Sequence, residues 1–218
     1  MSKLLRDGLA PIGVVEIFTT IGRPRLLLKE PIPGRPNTYR SHELDFRTCQ
    51  VLYEETHRNI IVNIGKDKTI EALAAGSLNP IMRMAIGDRG TLPSDPTVPK
   101  VPVSTMSALY NEIYRADIDA VILNTGTPTD HEVKFIRTFS AVDVPITSFS
   151  NQATPVVNEV ALITADTIGG APFPRLPVAA PAAPPVDEAM YSIRTYRSVP
   201  FVAANDIAVT IRYTIFIE

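Results

Sequence analysis

The sequence predicts a mainly β fold: an antiparallel β-sandwich or barrel-like domain with one short helix, an N-terminal β-hairpin arm and long Pro-rich loops. Three observations carry this expectation. From residue 207 onward, Ile207, Val209, Ile211, Tyr213, Ile215 and Ile217 fall on one face of an extended chain. Ala208, Thr210, Arg212, Thr214, Phe216 and Glu218 fall on the other, and six successive matches to period two belong to a strand. Val, Ile and Thr are abundant in the second half, as half-buried pleated surfaces favour. Finally, the 218 residues include 20 prolines, about 9% against a usual ~5%, which shortens helices and favours strands joined by ordered loops.

Residues 1–40 read as an extended N-terminal arm. Gly13 to Ile21 is β-rich, Ile21-Gly22-Arg23-Pro24 is a turn, and Arg25 to Lys29 returns, which predicts a hairpin. Pro31, Pro33, Gly34 and Pro36 then break any regular element. Residues 41–218 form the β-rich domain. Phe46 to Asn63 reads as two strands around a polar turn at 54–59. Lys66 to Ala75 carries Ile70, Leu73 and Ala74 at helical spacing, with Gly76 where a left-handed C-terminal residue belongs. Ile81 to Ile86 is a short strand closed by the turn Gly87-Asp88-Arg89-Gly90. Thr91 to Val103 holds Pro93, Pro96, Pro99 and Pro102, the spacing of an extended crossing. Ala108 to Leu123 admits a helical turn (Leu109, Tyr110, Ile113, Tyr114) or a strand from Ile113 to Ile122. Strands follow at Glu132 to Phe139, at Val156 to Thr164 (apolar except for Asn158 and Glu159), at Ala189 to Val202 with a break at Pro200, and at the C-terminus. Gly169 to Glu188, with six prolines, is either a mobile loop or an arm that lies on a neighbour.

Composition narrows the function. Lys plus Arg is 21 and Asp plus Glu is 23, for a net charge of -2, so no basic stripe asks for nucleic acid. Cys49 is the single cysteine, which excludes an internal disulfide and a cysteine-based zinc site and reads as a small apolar residue. No apolar run approaches the ~18 residues of a membrane helix, and Met1 to Pro11 lacks a signal-peptide core. A protein made in a cytoplasm and kept in solution is expected.

Candidate chemistry comes up empty. Gly65-Lys66 between a strand and a helix superficially suits a phosphate loop, but Asp67 stands where Ser or Thr is needed and Ile60 where the first glycine belongs. His42, His57 and His131 are far apart and lack metal-ligand spacing. No serine sits in a Gly-x-Ser-x-Gly elbow. Asp117 and Asp119 would share a strand face as a solvated pair, the alternative being a divalent-cation site. Asp88 and Asp206 suit turns. Tyr110, Tyr114, Tyr191, Tyr196 and Tyr213 would suit either a sugar-binding face or half-buried sheet positions. No catalytic, cofactor-binding or metal-binding residue is assigned, and no cofactor and no enzymatic activity are expected.

Five stretches do carry a resemblance: "IMRMAIGDRG", "VPKVPVSTMSALYNEIYRADI", "EVKFIRTFSAVDVP", "VVNEVALITAD" and "FVAANDIAVTIRYTIFIE". In this order they resemble tailed-phage virion proteins, and the N-terminal, baseplate-attaching region of tail-collar fibre proteins in particular. There a strand ending in Gly-Asp is followed by a Leu-Tyr-x-Glu segment, then by a strand carrying Asn-Glu, here Asn158-Glu159, and a last strand. The similarity covers about 60% of the chain. It implies a non-enzymatic structural component of the virion, at the tail, collar or baseplate or as a fibre adaptor. Its partners would be copies of itself in a symmetric homo-oligomer and other virion proteins such as tail, neck or fibre subunits, with neither membrane nor nucleic acid. It would be assembled in the host cytoplasm. In fibre proteins a long trimeric shaft follows the module, whereas here the chain stops at Glu218, which favours an adaptor, collar or decoration subunit. A carbohydrate-binding module that recognises a host surface is the alternative.

Overall fold

A computed structural model describes residues 11–35, 37–75, 81–124, 132–164, 173–174 and 189–217. The protein is mainly β, with 62% strand against 8% helix, and it divides into two compact units. The first comprises residues 1–59, 118–139 and 208–218, and the second residues 60–117 and 140–207.

The first unit holds one seven-stranded sheet. Its strands are β1 (Pro11–Ile21), β2 (Arg25–Pro31), β3 (Thr38–Asp45), β4 (Gln50–Arg58), β10 (Ala120–Asn124), β11 (Glu132–Ser140) and β15 (Ile207–Ile217). They are arranged β2-β3-β10-β11-β15-β1-β4. The C-terminal strand is therefore interior, as its fully apolar face requires, because a free edge of that composition invites aggregation. Val209, Ile211 and Tyr213 have no exposed surface, and each such side chain contributes roughly 1.5–3 kcal/mol on burial. At the other end of the sheet, Leu26, Leu28 and Tyr39 pack on Ala120, Ile122 and Ile136.

Two expectations are corrected in this unit. β1 and β2 do not form a hairpin. Gly22 makes the turn with φ 79°, but β1 pairs antiparallel with β4 and borders β15, while β2 pairs with β3 at the far edge. The turn signal is local, whereas the partners are chosen by burial of Val15 and Ile17, both fully enclosed. Likewise, no turn interrupts residues 54–59: Glu54 to Arg58 run on as one strand paired to Val14–Phe18, since cross-strand bonds outweigh the polar composition.

In the second unit the main sheet runs β13-β9-β6-β12-β14-β5. These are β5 (Ile60–Ile61), β6 (Ile81–Gly87), β9 (Glu112–Asp117), β12 (Val156–Thr164), β13 (Phe173–Pro174) and β14 (Ala189–Pro200). A small pair, β7 (Thr91–Leu92) with β8 (Asp95–Pro99), occupies the Pro-rich crossing. Val62, Ala85, Leu109, Ala161, Ile163, Met190 and Ile193 form the core. Both main sheets are open, with distinct edge strands, so the barrel-like option is set aside. Within residues 108–123 there is no helical turn, and the single strand expected from Ile113 to Ile122 is two: β9 (Glu112–Asp117) in this sheet and β10 (Ala120–Asn124) in the seven-stranded one. The helix, α1 (Asn63–Ala75), starts three residues earlier than expected. Gly76 and His131 lie outside the described residues, as does the 169–188 run apart from β13, which pairs with Tyr114 and Arg115. No described helix is long and apolar enough to cross a membrane.

Candidate functional site

Among the described residues, a dense polar arrangement in the second unit is built on the two residues that interrupt the apolar strand β12. Asn158 and Glu159 are 1% and 0% exposed. A buried polar group must find partners or cost a few kcal/mol, and the local backbone shows how these find theirs. Between the pairs Val157–Val199 and Glu159–Thr195, β14 carries three residues against the single Asn158. This bulge brings Ser198 to Asn158.

Asn158 uses both ends of its amide. Its Oδ1 accepts from the Gly90 backbone N–H at 2.6 Å. Its Nδ2 donates to Thr91 Oγ1 at 3.1 Å, Ser198 Oγ at 3.0 Å and the Asp88 carbonyl at 3.3 Å. Glu159 accepts three backbone N–H groups: Asn111 at 2.8 Å and Arg89 at 3.2 Å on Oε1, and Tyr110 at 2.8 Å on Oε2. Asp88 extends the knot outward. Its carboxylate accepts from the Ser150 N–H at 2.6 Å, the Asn111 side-chain amide at 2.7 Å and the Ser150 hydroxyl at 3.1 Å. Asp88 thus serves a backbone amide, but one 62 residues away rather than in its own turn.

Glycine is required at both ends of this turn. A Cβ on Gly87 would strike the Asn111 carbonyl and Glu159 Oε1, and one on Gly90 would strike the Asn158 carbonyl. Lys100 closes the outer side. Its N–H donates to the Gly90 carbonyl at 2.8 Å, its Nζ donates to the Arg89 carbonyl at 2.5 Å, and its ammonium sits 4.4 Å from the Tyr110 ring centroid.

The electrostatics of Glu159 are unusual because all its hydrogen bonds come from backbone amides. Burial pushes its carboxyl up to about 7, against the pull of the three N–H groups, and the nearby Asp88 charge pushes the same way.

A second cluster lies in the first unit. Arg212 of β15 forks onto both carboxylate oxygens of Glu16 on β1, the bidentate geometry that guanidinium favours. Its Nη1 also lies 3.2 Å from His42 Nε2. β10 and β11 separate β3 from β15 in the strand order, a span of roughly 14 Å in a flat sheet, which the two long side chains bridge. Burial lowers the His42 imidazole to about 4, with help from the Arg212 and Lys134 charges. The ring is neutral at pH 7 and accepts from Arg212.

The other residues singled out in the sequence do not converge. His57 lies beside Glu55, 2.7 Å away, and His42 and His57 share no ligand set. Asp117 and Asp119 are not a solvated pair: Asp117 accepts from Arg83 Nε at 3.1 Å. Asp119 takes Arg137 at 2.6 Å and the Thr138 N–H at 2.8 Å. Neighbouring strands supply the cations, which a single-strand reading does not anticipate. Asp206 sits at φ 48° after a single turn of 3-10 helix. Tyr114, Tyr191, Tyr196 and Tyr213 are buried, so the tyrosines do not line one face. Gly65 lies inside α1, where a Cβ would strike the Tyr191 carbonyl, so its missing side chain serves helix–strand packing. Cys49 is half-buried, with its thiol pushed up by burial. Among the described residues no group of three or more His, Cys, Asp or Glu is placed to hold a metal ion.

Glu159 enters the sequence reading as an interruption of the strand and as part of the Asn-Glu pattern, but without a role of its own. The signal was present: an ionisable side chain in the middle of nine residues that are otherwise almost wholly apolar. No family model matches the chain, and no curated protein matches it.

Proposed function

We propose that the chain is a non-enzymatic structural subunit of a tailed-phage virion, acting at the tail, collar or baseplate or as a fibre adaptor. One observation carries the reading. The three short motifs behind the resemblance, Gly87-Asp88, Leu109-Tyr110-Asn111-Glu112 and Asn158-Glu159, are distant in sequence yet meet in a single knot. A set of residues whose hydrogen bonds are spent on backbone groups and on one another fits a scaffold role, since catalysis needs polar groups turned toward a substrate. Its polar atoms fix where three loops leave the sheet, which is what a subunit that presents loops to neighbours requires.

The test is compositional. Tailed particles purified from a host carrying this gene should contain peptides of the chain at a constant ratio to the tail proteins. Particles that are intact and infectious but free of the chain would overturn the reading. Recovery of the chain with unassembled soluble enzymes would do the same.

A further inference from the structure

We propose that β4 is a self-pairing edge: two copies of the chain join through it, antiparallel about a two-fold axis at Thr56, and make one continuous sheet. This goes beyond the virion reading and stands on the seven-stranded sheet alone.

The two main sheets end in β2 and β4 on one side and in β13 and β5 on the other. A free edge recruits foreign strands unless it is short, bent, or guarded by Pro or Lys. Three of these edges have such a guard. β2 holds Lys29 and Pro31, with Glu30 between them at φ 57°. β13 is two residues long and ends in Pro174, and β5 is Ile60-Ile61 alone. β4 differs, because its nine residues, QVLYEETHR, include no Pro, Lys or Gly. Among the described residues it pairs with β1 alone. The one irregularity of that pairing, at Thr19/Thr20, lies beyond the stretch opposite Glu54 to Arg58.

The order of the charges names the occupant. Glu54-Glu55-Thr56-His57-Arg58 is an acidic half, a hydroxyl and a basic half. Laid antiparallel on its own copy with Thr56 opposite Thr56, it sets Glu54 against the partner's Arg58 and Glu55 against the partner's His57. The two-fold axis repeats both contacts. Opposite charges and Thr–Thr pairs stabilise facing positions, and like charges destabilise them. An axis at Glu54 or Glu55 would set that carboxylate against itself, so charge selects the register. Glu54, Thr56 and Arg58 are exposed, as the contact requires. The backbone agrees. The Asn59 N–H donates to the Gly13 carbonyl at 3.0 Å, and antiparallel bonding alternates along a strand. Glu55 and His57 therefore turn their N–H and C=O groups to β1, while Glu54, Thr56 and Arg58 turn theirs to the open side. These are the residues that the Thr56 axis sets opposite one another. The pairing closes about six backbone hydrogen bonds, two in each facing pair, and extends the sheet by strand addition.

Sedimentation equilibrium of the full chain across the micromolar range is the test, and the data should fit a reversible monomer–dimer equilibrium. Glu54→Arg places like charges in both outer pairs and should raise the dissociation constant by about tenfold or more. Adding Arg58→Glu exchanges the two signs and should restore the dimer. Thr56→Pro removes the N–H donors at the axis but none that bonds β1, and should leave a folded monomer. Amide exchange in the unsubstituted chain gives a readout that survives a variant that fails to fold. Protection at Glu54, Thr56 and Arg58 should rise with protein concentration, while that at Glu55 and His57 stays constant. A chain that is monomeric throughout the range would overturn the pairing. So would a dimer indifferent to Glu54→Arg and Thr56→Pro, a folded double variant that stays monomeric, or concentration-dependent protection confined to other strands.

Discussion

Replacing Asn158 by alanine tests whether the knot holds the second unit together. The change removes the only side-chain acceptor seen on the Gly90 N–H, a 2.6 Å bond in a fully enclosed position. An orphaned buried donor costs about 1–3 kcal/mol. Three donations from Nδ2 also vanish, though Thr91 and Ser198 keep the 3.2 Å hydroxyl–hydroxyl bond they already share. Because both hydroxyls stay partnered, the further loss is about 1 kcal/mol, for a total near 3 kcal/mol. Equilibrium urea unfolding followed on the second unit should then show its midpoint fall by more than 1 M, taking a slope of about 2 kcal/mol/M. Ser198→Ala, which removes one partner and orphans no backbone donor, should cost about 1 kcal/mol or less. An Asn158→Ala loss below about 0.5 kcal/mol, or one no larger than that of Ser198→Ala, would refute the reasoning, because the Gly90 amide would then have another partner.

Ile211→Asp places an unpaired charge on an interior strand at a site with no exposed surface and should cost several kcal/mol; recovery of the variant with normal thermal stability would count against the register. His42 and Glu159 make the two units respond to acid in opposite directions. The His42 ring is lowered to about 4, so its contribution is present above 6.5 and fades as pH falls toward 4, and His42→Gln should flatten the slope for the first unit. Glu159 is raised to about 7, so its contribution is full below 4.5, is lost as pH rises through 7, and amounts to about 3 kcal/mol. Unit-resolved exchange between pH 4 and 8 that shows both slopes with one sign would contradict this. Chelator treatment should leave the melting temperature unchanged; a shift well above ~5 °C would point to a metal site.

The legible parts of the fold are those fixed by local periodicity. β15 announced itself through side chains that alternate between core and opposite face, and β6, β11, β12 and β14 through β-branched runs with defined ends. What the chain does not spell out is pairing. β1 and β2 look like a hairpin because Gly22 supplies the turn, yet their partners are 29 or more and 8 or more residues further along. Such choices depend on which faces are buried together, a property of the assembled sheet rather than of any window of sequence. The same limit hid the arginines that pair with Asp117 and Asp119, since these arrive from other strands. The knot was half visible. Its motifs were recognised as a pattern and Asp88 as a turn residue, but that Glu159 would collect three amides from residues 48, 49 and 70 positions away follows only once β12 lies beside β6.

The central claim, that the chain is a building block of a virion, is tested most directly by the density of the assembled particle. A cryo-electron-microscopy map of purified tailed particles at side-chain resolution should contain the seven-stranded and six-stranded sheets of this chain. They should appear in repeated copies at the tail, collar or baseplate, bordered by copies of the chain or by other virion proteins. A map in which every tail, collar and baseplate density is accounted for by other proteins would contradict it.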